Sequence, residues 1–201
     1  MDFSQLEGRN PDRVIELDLP KVAKESLWLT LLSAVILFLA NALLHGVFRQ
    51  GGFEVTFSLK GIIVGTLLFI AGYAVLIVVH EAFHLLGFRL FGGVPFKEMA
   101  FGLNLQAGIA YATTKIPLHN RGMRKALLLP LWMTGILPAA IGLWTDSYLV
   151  LFLSAWLIGG AAGDLAMDRE LKTLPGDWLI RDDPEEPKLY VFSTDPGPDD
   201  R

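Results

Sequence analysis

Two histidines and a glutamate stand at a spacing suited to metal chemistry, in the stretch His80-Glu81-Ala82-Phe83-His84. On an α-helix, residues four apart lie on one face about one turn apart, so both imidazoles can bind one ion. A carboxylate beside the first histidine reaches a water molecule at that ion and acts as a general base. The pattern predicts hydrolysis with one zinc ion, with His80 and His84 as metal ligands and Glu81 as the catalytic residue.

The surroundings of this motif strengthen the prediction. The motif follows a long apolar run that begins IIVGTLLFIAGYAVLIVV at Ile62. Burying two imidazoles and a carboxylate in hydrocarbon costs several kcal/mol unless a partner offsets that cost. The alternative is that polar groups on other helices satisfy the three residues without a metal.

A catalytic zinc normally has three protein ligands, and the third must come from elsewhere in the chain. The sequence has no cysteine, so a carboxylate or another histidine is needed. Between residues 26 and 167 there are five acids: Glu54, Glu81, Glu98, Asp146 and Asp164. Of these, Glu81 and Asp164 fall inside apolar helices, and Asp164 is predicted at a depth similar to that of His84. Asp164 is therefore the expected third ligand; alternatively, it extends to water or pairs with Arg169.

The elements that position these residues are predicted to be membrane helices. The chain is 52% hydrophobic and 19% charged, and the formal charge divides into −2 for residues 1–25, +3 for 26–167 and −5 for 168–201. Four segments have the roughly 20 apolar residues that a span needs, at about 27–47, 62–90, 126–144 and 148–167. The predicted fold is mostly α, a polytopic membrane protein of about four transmembrane helices. A cytoplasmic segment (1–25) precedes the membrane domain (26–167), and an acidic cytoplasmic tail with a disordered end (168–201) follows it.

Lysine and arginine counts indicate the orientation. They run 4, 2, 6, 0 and 5 through the N-terminal flank, the three loops and the tail. Because positive residues stay in the cytoplasm, we expect a multi-pass protein of the cell membrane with both termini cytoplasmic. No basic patch is large enough to predict nucleic-acid binding. The expected partners are the lipid bilayer, a membrane-protein or peptide substrate, and a second copy of the chain in a homodimer.

The insert between the second and third spans, residues 92–124, does not have the pattern of a helix. GGVPF has the composition of a turn, and the following residues alternate partly with period two. We expect a short β-hairpin or re-entrant segment, with a plain cytoplasmic loop as the alternative. Asn104 and Gln106 in this insert are candidate substrate contacts, because their amides can hydrogen-bond a peptide backbone or an oxyanion.

Three further polar residues are expected to have structural rather than catalytic roles. His45 is predicted at the outer membrane interface, and Asn41 in a hydrogen bond between helices. His119 is predicted at the surface, although it precedes the third span closely enough to approach the site.

The chain resembles a bacterial and archaeal membrane family described as zincin peptidases. The resemblance lies in HEAFH, YATTKIPL, LLLPLWMTGILP and GGAAGDLAM followed by LPGDWLIRDDPEEPKLYVF, and it covers about residues 62–192. The architecture is also similar to the site-2 protease clan, in which an Asp on a later helix completes the zinc site. That similarity implies the same roles for His80, Glu81, His84 and Asp164, although Gly-Asp-Leu stands here where the clan has Asp-Gly.

These observations favour an intramembrane zinc metalloprotease that cleaves near the cytoplasmic face. The main alternative is a non-catalytic metal-binding scaffold or regulator, in which four protein ligands would close the site. An ion or proton transporter is a third hypothesis. It is less favoured, because the sequence shows no inverted repeat of the kind that many transporters have.

Overall fold

The fold is mostly helical (67%), and the computed structural model describes residues 8–46, 58–104, 109–184 and 186–194. The helices are α1 (Leu19–Gly46), α2 (Leu59–Gly92), α3 (Asn120–Pro130), a π-helix (Leu131–Ile136), α4 (Leu137–Trp144), α5 (Tyr148–Gly160) and α6 (Ala162–Leu171). The strands are β1 (Arg13–Glu16), β2 (Met99–Asn104), β3 (Ile109–Thr114), β4 (Leu118–His119), β5 (Leu179–Asp182) and β6 (Lys188–Phe192).

The chain divides into two compact units. The sheet unit comprises Met1–Leu19, Glu81–Leu129 and Gly163–Arg201, and the helical unit comprises Pro20–His80 and Pro130–Ala162. Helix α2 is continuous and contributes to both units, since the division falls between His80 and Glu81. At 34 residues it is about 50 Å long, which exceeds the roughly 30 Å of a hydrocarbon core.

The helical unit has the surface of a membrane protein. Large apolar side chains along α1 and the first part of α2 are exposed, among them Leu31, Leu39, Leu43, Ile62 and Leu67. In water such a surface would be unfavourable, whereas lipid tails solvate it. Among the described residues, α1, α2 and Asn120–Trp144 are each long and apolar enough to cross a bilayer. The length and apolar composition of these helices therefore agree with the predicted membrane protein.

The fourth predicted span differs from the expected continuous helix over 148–167. The structure breaks it at Ala161 into α5 and α6, which are bent by 40°. A run of small residues, Gly159 to Gly163, provides little side-chain contact to keep one helix straight at this point. A Cβ on Gly159 would lie 1.8 Å from Oγ1 of Thr30, so this glycine also lets α5 pack tightly on α1. The number of helices able to span is therefore three, or four if the bent pair is one span.

The sheet unit joins segments that are far apart in sequence. Its four-stranded antiparallel sheet has the order β1-β6-β5-β4, with Arg13 opposite Val191 and Leu118 opposite Ile180. The core beneath it is formed by buried apolar residues from these strands, α2, α3 and α6: Ile15, Phe88, Leu118, Met123, Met167, Leu171, Ile180, Leu189 and Val191. The N-terminal segment and the tail, for which the sequence predicted no strands, therefore fold together.

The insert after α2 forms a hairpin in a second, two-stranded sheet. Strands β2 and β3 pair antiparallel from Met99 opposite Thr114 to Asn104 opposite Ile109. The insert thus contains a small antiparallel sheet of the kind that the alternating pattern predicted.

Candidate metal centre

Helix α2 carries His80, Glu81 and His84 on adjacent turns. One ligand atom from each residue lies within 4.8 Å of the corresponding atoms of the other two. The two histidines are buried, with 8% and 6% of their surface exposed, and Glu81 is half-buried. The helix therefore brings two nitrogen donors and a carboxylate close enough to share one ion.

Thr134 fixes the role of one nitrogen of the His80 ring. Nδ1 of His80 lies 3.2 Å from Oγ1 of Thr134, and that hydroxyl donates to the carbonyl oxygen of Pro130 at 2.8 Å. Because its single proton is used there, Thr134 can only accept from His80, so Nδ1 of His80 carries a proton. Nε2 is therefore the nitrogen through which this histidine could bind a metal.

The position of Thr134 depends on a widened turn. It lies in the π-helix, where the N–H of Leu137 donates to the carbonyl oxygen of Trp132, five residues earlier. Pro138 follows at the start of α4; it has no N–H to donate, and its ring is incompatible with a regular turn before it. A π-helical turn changes the direction of the side chains within it, and here one of them contacts a histidine of the motif.

A backbone carbonyl fixes the His84 ring in the same way. Nδ1 of His84 lies 3.2 Å from the carbonyl oxygen of Ala126, which can only accept, so Nδ1 carries the proton. The close packing of α3 on α2 requires Gly87, since a Cβ there would lie 2.7 Å from Cα of Ala126. In both histidines of the motif, Nδ1 thus contacts an acceptor outside α2, and Nε2 is the other ring nitrogen.

Asp164 faces that nitrogen of His84. Its Oδ1 lies 3.3 Å from Nε2, and the two side chains are 17% and 8% exposed. A lone pair and a carboxylate at this distance need a cation between them, either a proton, which gives an ion pair, or a metal. Two ligands on one tetrahedral zinc, each bonded at about 2.0–2.2 Å, are separated by roughly 3.3–3.5 Å. The separation of these two atoms therefore fits two ligands of one zinc ion, while the ligand atoms that all lie within 4.8 Å of one another are those of His80, Glu81 and His84.

Helix α3 also positions α6, which carries Asp164 in its first turn. Arg124 donates from Nε to Oδ1 of Asp168 at 2.7 Å, and Asp168 lies one helical turn after Asp164. The amide of Asn120 donates to three carbonyl oxygens at the end of α6 and beyond, those of Leu171, Leu174 and Pro175. Helix α3 therefore orients His84 and fixes the helix that carries its carboxylate partner.

A comparison with protein families gives a match that covers more than half of the chain. Residues 73–177 match the model of a family described as "Putative zincin peptidase". The chain belongs to this zincin peptidase family. The matched segment contains the motif on α2, Thr134 and Asp164. Comparisons with curated proteins and with solved structures found no match.

The other candidate residues of the chain do not join the group at α2. His119 is half-buried, and its Nδ1 lies 2.8 Å from the carbonyl oxygen of Asp177. In the helical unit, Nε2 of His45 lies 2.7 Å from the carbonyl oxygen of Leu143, and Asn41 donates to Asp146 at 2.7 Å. Gln106 and the side chain of Asn104 lie outside the described residues, so their role as substrate contacts stays a prediction.

Sequence reasoning missed two residues that contact the motif, Thr134 and Ala126, and the burial of Asp182 in β5. Thr134 is the one hydroxyl residue between Pro130 and Pro138 in an apolar span. This isolation could have marked it as a candidate, but it does not indicate which residue it contacts. The carbonyl of Ala126 has no side-chain signal at all. Asp182, in the acidic tail, is partly buried; burial raises its pKa to about 7 against the lowering effect of Thr113 and His84.

Substituting Thr134→Val should weaken metal binding while keeping the shape of the side chain. The His80 N–H then loses its acceptor, and loss of such an outer contact typically lowers metal affinity about 10-fold or more. The measurement is competition for zinc between the purified protein and a chelator. Thr134→Ser keeps the hydroxyl and is the matched control, expected near wild type. Equal zinc affinity in Thr134→Val and wild type would show that the hydroxyl does not orient His80.

Proposed function

We propose that this member of the zincin peptidase family is an intramembrane metallopeptidase that hydrolyses peptide bonds near the cytoplasmic face. The observation that carries the proposal is the set of donors around α2. Two imidazoles on one helix face have their Nδ1 atoms engaged by Thr134 and Ala126, and a carboxylate from another helix lies 3.3 Å from Nε2 of His84. Together with the family match, this arrangement favours a metal over a simple ion pair.

The residues that would hold zinc are His80, His84 and Asp164. Two neutral nitrogens and one carboxylate form a usual donor set for a catalytic zinc, and three protein ligands leave a position for water. A zinc ion bound there would lower the pKa of that water and polarise the substrate carbonyl.

Glu81 would serve as the proton carrier in the reaction. Its carboxylate accepts a proton from the attacking water as the oxygen bonds to the carbonyl carbon. When the C–N bond breaks, Glu81 returns the proton to the leaving amine. The fixed orientation of His80 and His84 keeps the site ready without reorganisation. Water must reach the site, which agrees with a position near the membrane surface.

The substrate class follows from the surroundings of the site. Because the motif lies on an apolar helix able to span a bilayer, we expect the substrate to be a membrane-protein segment or a peptide at the cytoplasmic surface. The hydrolysis of such a peptide by protein reconstituted in lipid vesicles tests the function, with Glu81→Gln as the inactive comparison.

The sheet unit supports four membrane crossings with both termini on one side. Strands that pair in one sheet must lie on the same side of a bilayer, and this sheet contains β1 before α1, β4 between α2 and α3, and β5 and β6 after α6. The chain must therefore cross an even number of times between β1 and β4, and again between β4 and β5. With one crossing by α3 to α4, a return through the bent pair α5 and α6 would give the four crossings that we propose.

Topology reporters fused after Ser147 and after Thr194 would test this proposal. We expect a non-cytoplasmic signal at Ser147 and a cytoplasmic signal at Thr194, as the positive residues of the tail also predict. A fusion in the insert, after Lys97, is the control and should report the cytoplasm. Signals on opposite sides at Lys97 and Thr194 would contradict four crossings.

A further inference from the structure

The segment before α1 lies against helix α6. Within that segment, residues 12–17 form an N-terminal strap, which is β1 with one residue on each side. The strap pairs with β6 along its length: the N–H of Asp12 donates to the carbonyl oxygen of Val191, and the N–H of Leu17 donates to that of Pro187. The strap lies outside the family match, which begins at residue 73, so the match assigns it no role.

Two side chains of the strap contact the two ends of α6. Leu17 is half-buried, and its Cδ1 lies 3.7 Å from the position that a Cβ on Gly163 would occupy. Near the other end of the helix, the guanidinium of Arg13 donates to the carboxylate of Glu170. Because α6 comprises Ala162–Leu171, the strap contacts both its first and its last turn.

Apolar packing contributes more to this contact than the ion pair does. Ile15 of the strap is buried in the same cluster as Met167 of α6, and Leu17 packs against that cluster. Burial of such side chains stabilises a contact by about 1.5–3 kcal/mol each. The side chains of Arg13 and Glu170 are 45% and 49% exposed, and ion pairs at such positions contribute little. Leu17 is therefore the strap residue that most directly holds the first turn of α6.

The first turn of α6 carries the carboxylate that faces the motif. Gly163 immediately precedes Asp164, whose Oδ1 lies 3.3 Å from Nε2 of His84. Since Gly163 has no side chain, Leu17 approaches the backbone of this turn, and a displacement of the turn moves the Asp164 carboxylate with it. Ligands of a metal must be held to within about 0.5 Å of their bonding positions, so the packing of this turn matters for metal binding.

We propose that Leu17 is a positioning residue of the metal centre: it holds the first turn of α6 so that the Asp164 carboxylate faces His84. This inference rests on the proposed function insofar as it takes Asp164 as a zinc ligand. It extends the support of the site to a residue that precedes α1.

The zinc affinity of Leu17→Ala, measured by competition with a chelator on the full-length protein in detergent, tests this inference. We expect zinc binding about 10-fold weaker than in wild type, as is typical when a contact that supports a ligand is lost. Leu17→Met conserves the volume of the side chain and should keep the wild-type affinity. Val14→Ala is the matched control, because Val14 belongs to the same strand but is 46% exposed; it should bind zinc as wild type does.

A second substitution, Asp164→Ala, separates positioning from a general loss of stability. Asp164→Ala alone should weaken zinc binding, and adding Leu17→Ala should weaken it no further, because Leu17 acts through Asp164. An equal 10-fold loss in both backgrounds would overturn the inference, since it would indicate that the fold as a whole is loosened. Wild-type affinity in Leu17→Ala would also overturn it. Leu17→Val, a smaller truncation, gives the same comparison if Leu17→Ala does not fold.

The outcomes distinguish this inference from the proposed function. A protein whose zinc binding depends on Leu17 through Asp164, yet which cleaves no peptide, would support the inference and reject the proposed function. Zinc affinity unchanged by Asp164→Ala would overturn the inference, while peptide hydrolysis by the same preparation would still support a metallopeptidase. A wild-type protein that binds no zinc would reject both.

Discussion

Glu81→Gln is expected to abolish peptide hydrolysis while the protein keeps about one zinc per chain. Glutamine has almost the same size and can still hydrogen-bond water, but it cannot accept a proton. General base catalysis contributes about 10²- to 10⁴-fold to such reactions, so the cleavage rate of the variant should be lower than that of wild type by this factor. Because Glu81 is the proposed base and not a ligand, the metal content should not change.

The measurement is the rate of peptide cleavage in vesicles, together with the zinc content of the same preparation. Glu98→Gln is a matched control, since Glu98 lies in the turn before β2 rather than on α2. It should cleave at the wild-type rate. Cleavage by Glu81→Gln at the wild-type rate would exclude the proposed mechanism. A loss of zinc in Glu81→Gln would instead indicate that Glu81 is a metal ligand.

The second large effect is expected from the histidines. The double variant His80→Ala, His84→Ala should fall from about one zinc per chain to background, and all hydrolysis should be lost with it. Removing both imidazoles leaves Asp164 as the one remaining ligand of the proposed set, and a single carboxylate does not hold zinc against a chelator. Metal analysis of the purified protein measures the effect directly.

His119→Ala is the control for this prediction. Its ring contacts the carbonyl oxygen of Asp177 and lies outside the group on α2, so zinc content and cleavage should remain at wild-type values. A single substitution, Asp164→Asn, should weaken zinc binding without removing both nitrogen donors. Retention of one zinc by the double variant would show that the metal, if present, is bound elsewhere.

Much of the candidate site could be predicted from local sequence. The spacing of His80 and His84 is a property of any α-helix, so a helical pattern was enough to place both imidazoles on one face. Apolar runs of sufficient length predict membrane helices, and three helices of the described residues are long and apolar enough to span. The resemblance to the zincin peptidase family, which rests on HEAFH and the other motifs, is confirmed. The scarcity of acids in apolar segments singles out Asp164, and the structure brings it next to His84. Its role as a ligand stays a prediction.

The partners that orient the site could not be predicted in this way. Thr134 reaches His80 because Pro138 follows a widened turn, and residue spacing alone does not specify how such a turn directs a side chain. Ala126 reaches His84 through a backbone carbonyl, for which any residue type would serve. The break at Ala161 lies next to Gly159, where α5 approaches Thr30 of α1 closely. The position of α1 is set by the tertiary structure, so the break could not be predicted from the residues of the fourth span alone.

Composition and residues a few positions apart were enough to predict the membrane helices, the helical spacing of the motif and the exclusion of thiolate ligands. The pairing of β1 with β6, and the contacts by which α3 orients His84 and anchors α6, are visible only in the folded structure. Each of these contacts joins residues tens to more than a hundred positions apart. Their formation depends on packing and side-chain direction across the whole fold, which no local pattern contains.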